Sequence, residues 1–250
     1  RLLSAGWIET SNISGGEGGT WCAQVPACSA VAVYADYQPT LNRACELAHI
    51  LGEASLRDRL IAYPAIAQNP SLLSCEIAGR FFMDAFLAQL LEETEWERRE
   101  HAAVLWQALR QIGVNLLHLP FRFELSHRLH EERRHGYLSV NDINKLTNTI
   151  WEDYFADTVR GSDQYVWAAK LHFYLPREPH YDWQYTAGYL IAAVLRRRLL
   201  ADGRTACGGS FGDFLSDCAT IDCDELIRRH LGADPASDAF WTDAATEALN

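Results

Sequence analysis

From Thr40 onward one signal recurs: apolar residues at helical spacing, broken by polar start residues and short interruptions. That run takes up most of the 250 residues and leaves little room for a sheet. Thr40 is placed to cap a helix running to about Glu53. Pro70-Ser71 opens a second, longer helix, on which Leu72, Leu73, Ile77, Phe81 and Leu87 form an apolar stripe. Further helices are predicted over His101–Ile112, Phe121–His135, Val140–Thr158, Tyr185–Leu200, Asp213–Leu231 and Asp238–Leu249. Ser139 to Asp142 is a start signal for one of them. The first 40 residues differ. There Ser14-Gly15-Gly16-Glu17-Gly18-Gly19 reads as a loop, and Ala30 to Tyr34 as a short strand. No repeat or linker divides the chain. The expectation is one mainly α domain over residues 1–250, with a small β element near its N-terminus.

Composition narrows what such a chain does. With Asp+Glu at 33 against Lys+Arg at 22, a nucleic-acid backbone is a poor partner. A membrane span needs roughly 20 apolar residues. The longest candidate, Tyr189 to Leu195, stops at Arg196-Arg197-Arg198, whose cations suit a helix C-terminus. The seven cysteines are scattered and none forms a CxxC pair, which reads as reduced thiols in a cytoplasmic protein. Cys207, Cys218 and Cys223 lack zinc-finger spacing, and His127, His130 and His135 read as a polar helix face. The chain opens on Arg1 rather than Met, so its start is trimmed or lies inside a longer product.

One segment carries chemistry. In Cys45-Glu46-Leu47-Ala48-His49, residues 45 and 49 are four apart and share a helix face. In the zincin pattern HExxH that spacing lets two imidazoles grip Zn²⁺ while the intervening Glu activates the bound water. Here Cys45 takes the first ligand position, Glu46 the base position and His49 the second ligand position. By itself CExxH is a common chance arrangement on a structural helix.

Its surroundings resemble the M3 metallopeptidases, in particular the oligoendopeptidase F-like branch. "CELAHILGE" from Cys45 is similar to the family's "HELGHAYHS", and the Gly-rich stretch into Trp21-Cys22 is similar to an upstream family phrase. "SCEIAGRFFMD" from Ser74 resembles the phrase whose Glu is the third zinc ligand. "FRFELSHRLHEERRHGYLSVNDINKL" (from Phe121), "WAAKLHFYLPREPHYDWQYTAGYL" (from Trp167) and "DELIRRHLGADPASDAFW" (from Asp224) extend the resemblance over roughly residues 5 to 248. The resemblance implies a zincin-like M3 catalytic domain. It makes Cys45, His49 and Glu76 the metal positions, zinc the metal, and Glu46 the general base. It also places His172, Tyr181, Tyr185 and Tyr189 in the segment that hydrogen-bonds the substrate and its oxyanion, where donors stabilise developing negative charge.

Four departures bear on function. Cys45 replaces a His, and a thiolate makes the metal a weaker Lewis acid. Ala48 stands where the family has a Gly that lets substrate approach. Gly52 replaces a later His, and Glu53 adds a negative charge. The chain also lacks the family's N-terminal helical half, so a face that half would cover is left for a protein partner or a second copy. These features together imply a repurposed pocket, part of an altered enzyme in a protein complex. Its substrate would be amino-acid-like or peptidyl, as in specialised biosynthesis. A non-catalytic pseudopeptidase subunit and a zinc endopeptidase of short peptides are the other two readings.

Overall fold

The computed structural model describes residues 6–10, 19–25, 28–36, 38–176, 180–201 and 209–249. The Gly-rich loop expected at 14–19 lies, apart from Gly19, outside them. The chain divides into two compact units, Arg1–Leu109 with Ala187–Asn250, and Arg110–Thr186.

The first unit begins with β1 (Ile8–Thr10), β2 (Trp21–Val25) and β3 (Ala30–Ala35). They form a sheet in the order β1-β3-β2, with β1 parallel and β2 antiparallel to the central strand. The predicted strand is thus the middle one. Its Val31 and Val33 are buried against Ile50 and Ala54 of α1 (Leu41–Leu60). Thr40 caps α1 by accepting from the Arg43 N–H, as its sequence position implies. The helix runs beyond Glu53, because Leu56 and Leu60 keep its buried face going for two more turns. Ser71 caps α2 (Leu72–Glu92), which packs along α1. Leu56, Leu60, Ile77 and Phe81 from these helices join Ile191 and Leu195 of α7 (Trp183–Ala201) in the main core. The single helix expected over Asp213–Leu231 is two, α8 (Gly209–Asp217) and α9 (Cys223–Leu231). Asp222 breaks the run by turning extended and capping the Glu225 N–H. The chain closes on α10 (Asp238–Ala248).

The second unit holds α4 (Leu119–Arg134), α5 (Val140–Phe155) and the short α6 (Val166–Ala169) around Phe121, Leu125, Ile150, Phe155 and Val166. A π-helical turn, Val114–His118, joins α3 (Arg98–Gly113) to α4. A full capping box starts α5: Ser139 accepts from the Asp142 N–H, and Asp142 accepts from the Ser139 N–H. Among the described residues no helix is long and apolar enough to cross a membrane.

Candidate functional site

In the first unit α1 presents His49 and Glu53 one turn apart, and α2 brings in Glu76. His49 Nε2 lies 3.2 Å from Glu53 Oε1 and 3.7 Å from Glu76 Oε2. One donor atom from each of these three residues lies within 4.8 Å of the others. Among the described residues they are the one trio of His, Cys, Asp or Glu side chains so close. Three glycines make the space. A Cβ on Gly79 would stand 2.5 Å from the His49 ring. On Gly188 of α7 it would stand 2.7 Å from the Glu76 Cβ, and on Gly52 it would stand 2.3 Å from the Ala78 carbonyl oxygen. The sequence-level departure at Gly52 is therefore what lets α1 and α2 approach closely enough to bring His49 to Glu76.

The trio is short of hydrogen bonds. His49 Nδ1 and Glu76 Oε2 are buried without a hydrogen-bond partner among the described residues, although Arg80 Nε approaches Glu76 Oε2 to 3.5 Å. Burial pushes the Glu76 carboxyl pKa up, with His49 and Arg80 pulling the other way. A divalent ion bound at His49 Nε2 would also satisfy Glu76 Oε2, while His49 Nδ1, across the ring, would still need a partner of its own. One imidazole and two carboxylates, half-buried at His49 and Glu53 and buried at Glu76, are a donor set suited to Zn²⁺ and its neighbours.

The other motif residues stand apart from the trio. Cys45 is fully buried in an apolar cluster with Met83, Leu87 and Val104. Glu46 is a third exposed and accepts from Asn42 Nδ2 at 2.7 Å and Arg43 Nη1 at 2.5 Å. Tyr189 is buried, donates its hydroxyl to the Ala248 carbonyl at 3.4 Å, and has its pKa raised by burial and by Asp84.

His172, Tyr181 and Tyr185 come together in the second unit. The His172 ring stacks on Tyr181 with centroids 4.9 Å apart and meets Tyr185 edge-on at 6.0 Å. Arg122 hydrogen-bonds His172 Nδ1 and pairs with Asp182 at 2.7 Å. A guanidinium only donates, so His172 Nδ1 must accept and its hydrogen sits on Nε2. Burial, with Arg122 and Lys170 beside it, lowers the His172 pKa to about 4 and holds the ring neutral at pH 7. His172 Nε2–H is thus a fixed neutral donor. Asp182 is pushed up to about 6 by burial, against the pull of Arg122.

By sequence the chain matches no protein-family model and no curated protein. By structure it is similar to Pz peptidase A in an inhibitor complex, with a TM-score of 0.80 at 15% identity. It is likewise similar to a protein of Bacillus anthracis str. Ames provisionally termed oligoendopeptidase F, with a TM-score of 0.73 at 16% identity. A second protein so termed gives a TM-score of 0.79 at 16% identity. This is the fold of the M3 peptidases. In each case 99% of this chain is covered, but only 41–43% of the other, so the chain spans about two fifths of their length.

Within this M3-type fold, reading the sequence misses Glu53 as a partner of His49. The signal was present: His49 and Glu53 repeat the four-residue spacing of Cys45 and His49 one turn later. Gly79 and Gly188 have a weaker signal, a small residue inside an otherwise apolar helix. Asp182 lies 60 residues from Arg122, and nothing local announces that pairing.

Proposed function

We propose that this chain is the metal-holding part of an altered M3-type hydrolase, with zinc on His49, Glu53 and Glu76. The His-Glu-Glu trio carries this reading, since one ligand atom from each side chain converges within 4.8 Å and the buried Glu76 Oε2 has no hydrogen-bond partner among the described residues, a place a cation would fill. Bound zinc would supply a Lewis acid and an acidified water. Glu53 and Glu76 would anchor it from two helices, α1 and α2. Glu46, held by Arg43 and Asn42, is not free to serve as an ordinary zincin base, which argues for a reaction other than standard peptide cleavage. An amino-acid-like or peptidyl small molecule is the proposed substrate class. A protein partner would cover apolar side chains on α3, where Leu105, Trp106 and Leu109 are exposed, Trp106 by 69%.

The test is zinc content after chelation and reloading. Near one zinc per chain is expected, lost in Glu53→Gln and Glu76→Gln and kept in Cys45→Ala. Zinc kept in Glu53→Gln but lost in Cys45→Ala would overturn the ligand set. The pseudopeptidase reading has one observation of its own: Arg80, 3.5 Å from Glu76, offers a metal-free counter-charge. No zinc in any variant would favour it.

A further inference from the structure

The second unit contains a cavity of about 150 Å³ that the proposed zinc chemistry does not use. Ser126, Leu129, His130 and Arg133 line one wall. They fall at i, i+3, i+4 and i+7 on α4 and so form one continuous stripe of that helix. The facing wall is Ile143 of α5, Trp167 of α6, and Phe173 and Tyr174 of the turn after it. Trp167 commits its indole N–H to Asn144 Oδ1 at 2.9 Å and Gln164 O at 3.0 Å, so it offers the cavity ring carbons. Ile143 and Ser126 are buried whereas Arg133 and Tyr174 are exposed, so the pocket runs from a charged rim to an apolar interior.

Arg133 decides what fits. The other three arginines of α4 have carboxylate partners: Arg122 has Asp182 at 2.7 Å, Arg134 has Glu131 at 3.2 Å and Arg128 has Glu124 at 3.8 Å. The Arg133 side chain has no hydrogen-bond or ion-pair partner among the described residues, yet it stands at the mouth of an aromatic pocket. His130, one turn before it, donates Nδ1–H to the Ser126 carbonyl at 2.7 Å, which fixes that ring as wall. A carbonyl only accepts, so that nitrogen must carry the hydrogen. Three aromatic walls alone would suit a cation, but an unpaired guanidinium repels one and grips a carboxylate in two-point fashion. A cavity of about 150 Å³ is the size that takes one benzene ring.

We propose that this pocket binds a single-ring aryl carboxylate, ring inward among Leu129, Ile143, Trp167 and Phe173, carboxylate on Arg133. The proposal is independent of the zinc reading. It is tested by calorimetry on the chelated 250-residue chain, so that no carboxylate is drawn to a metal. Phenylacetate is expected to bind with a Kd of about 0.1–1 mM, fitting for some ten heavy atoms. 2-Phenylethylamine should bind at least about tenfold more weakly, the scale of one charged hydrogen-bonding contact, and acetate likewise at least about tenfold more weakly, because it leaves the apolar interior unfilled. Arg133→Gln, at an exposed helix position, should fold normally and lose about tenfold for phenylacetate, while His49→Ala should bind it unchanged. N-acetylphenylalanine binding more tightly than phenylacetate would identify a peptide C-terminus as the source of the ring; the reverse order would identify a free acid. Equal binding of the amine, equal binding by Arg133→Gln, or no saturable heat would overturn the proposal.

Discussion

Two histidines in this chain sit among the same residue types and are set up for opposite tasks. His49 shares one nitrogen between two carboxylates, Glu53 and Glu76, and leaves the other buried without a hydrogen-bond partner among the described residues. His172 has its Nδ1 taken by an arginine and its ring covered by Tyr181. The first arrangement concentrates negative charge and lone pairs at one point, which invites a cation. The second surrounds the imidazole with positive charge and apolar surface, which keeps it neutral. Residue inventory alone, one His with Arg and acid nearby, does not separate the two. The bonded atom does.

The largest test of the comparison is Arg122→Met. Arg122 and Asp182 are both nearly buried, with side-chain exposures of 6% and 4%. Removing the cation leaves a buried carboxylate without its partner, expected to cost about 3–5 kcal/mol in denaturant unfolding at pH 8. The folded Asp182 value, about 6, lies above its unfolded value of about 3.9. Its contribution to stability is therefore present at low pH and lost as pH rises through about 6. The variant's deficit should accordingly be smaller at pH 5 than at pH 8. An equal deficit at both would show that Asp182 is not the group left exposed.

Gly52→Ala probes the first cluster by its framework. The added methyl lands 2.3 Å from a backbone oxygen on α2, which cannot rotate away, and a loss of about 3 kcal/mol is expected. Gly113→Ala meets nothing within 4 Å and should instead gain about 0.5–1 kcal/mol. Comparable losses in both would mean that helix contact at Gly52 is not the reason for the glycine. Somewhat smaller is the effect of zinc itself. At a free concentration about a hundredfold above Kd it should stabilise the native chain by about 2.7 kcal/mol. Gly79→Ala, whose methyl would occupy the space of the His49 ring, should abolish that gain and lose less metal-free stability than Gly52→Ala, because a side chain can yield. A full zinc response in Gly79→Ala would remove His49 from the ligand set.

What sequence alone reveals divides along the same physical line. Helix starts at Thr40, Ser71 and Ser139 are local events, a hydroxyl reaching an N–H three residues on, and were legible. The mainly helical fold with a small N-terminal sheet was legible too, because apolar residues at helical spacing recur from Thr40 onward. Where α1 stops was not. Leu56 and Leu60 are held by residues up to 175 positions away, such as Leu231, and no local signal reports that. His49 and Glu76 were both singled out and do come together. Glu53 entered only as an added charge, since a motif assigns fixed roles to fixed offsets and cannot notice a partner one turn beyond its end. The tightly paired Arg122 and Asp182 come from separate elements, and only folding makes them neighbours.

The last prediction changes titration rather than stability. If Arg122 is what helps hold His172 neutral, nitrogen-15 NMR of the native chain should find the ring titrating at about 4, with its hydrogen on Nε2 at pH 7. In Asp182→Asn the Arg122 charge remains and is less balanced, so the His172 value should stay low or fall further. In a folded Arg122 variant, such as Arg122→Gln, it should rise toward the ordinary value of about 6.5. It should stop short of that value, because burial, the larger cause, remains. A low value surviving in Arg122→Gln would assign the depression to burial and Lys170, and the guanidinium would then set only which nitrogen carries the proton. An ordinary value in the native chain would show that neither burial nor Arg122 sets the charge of His172.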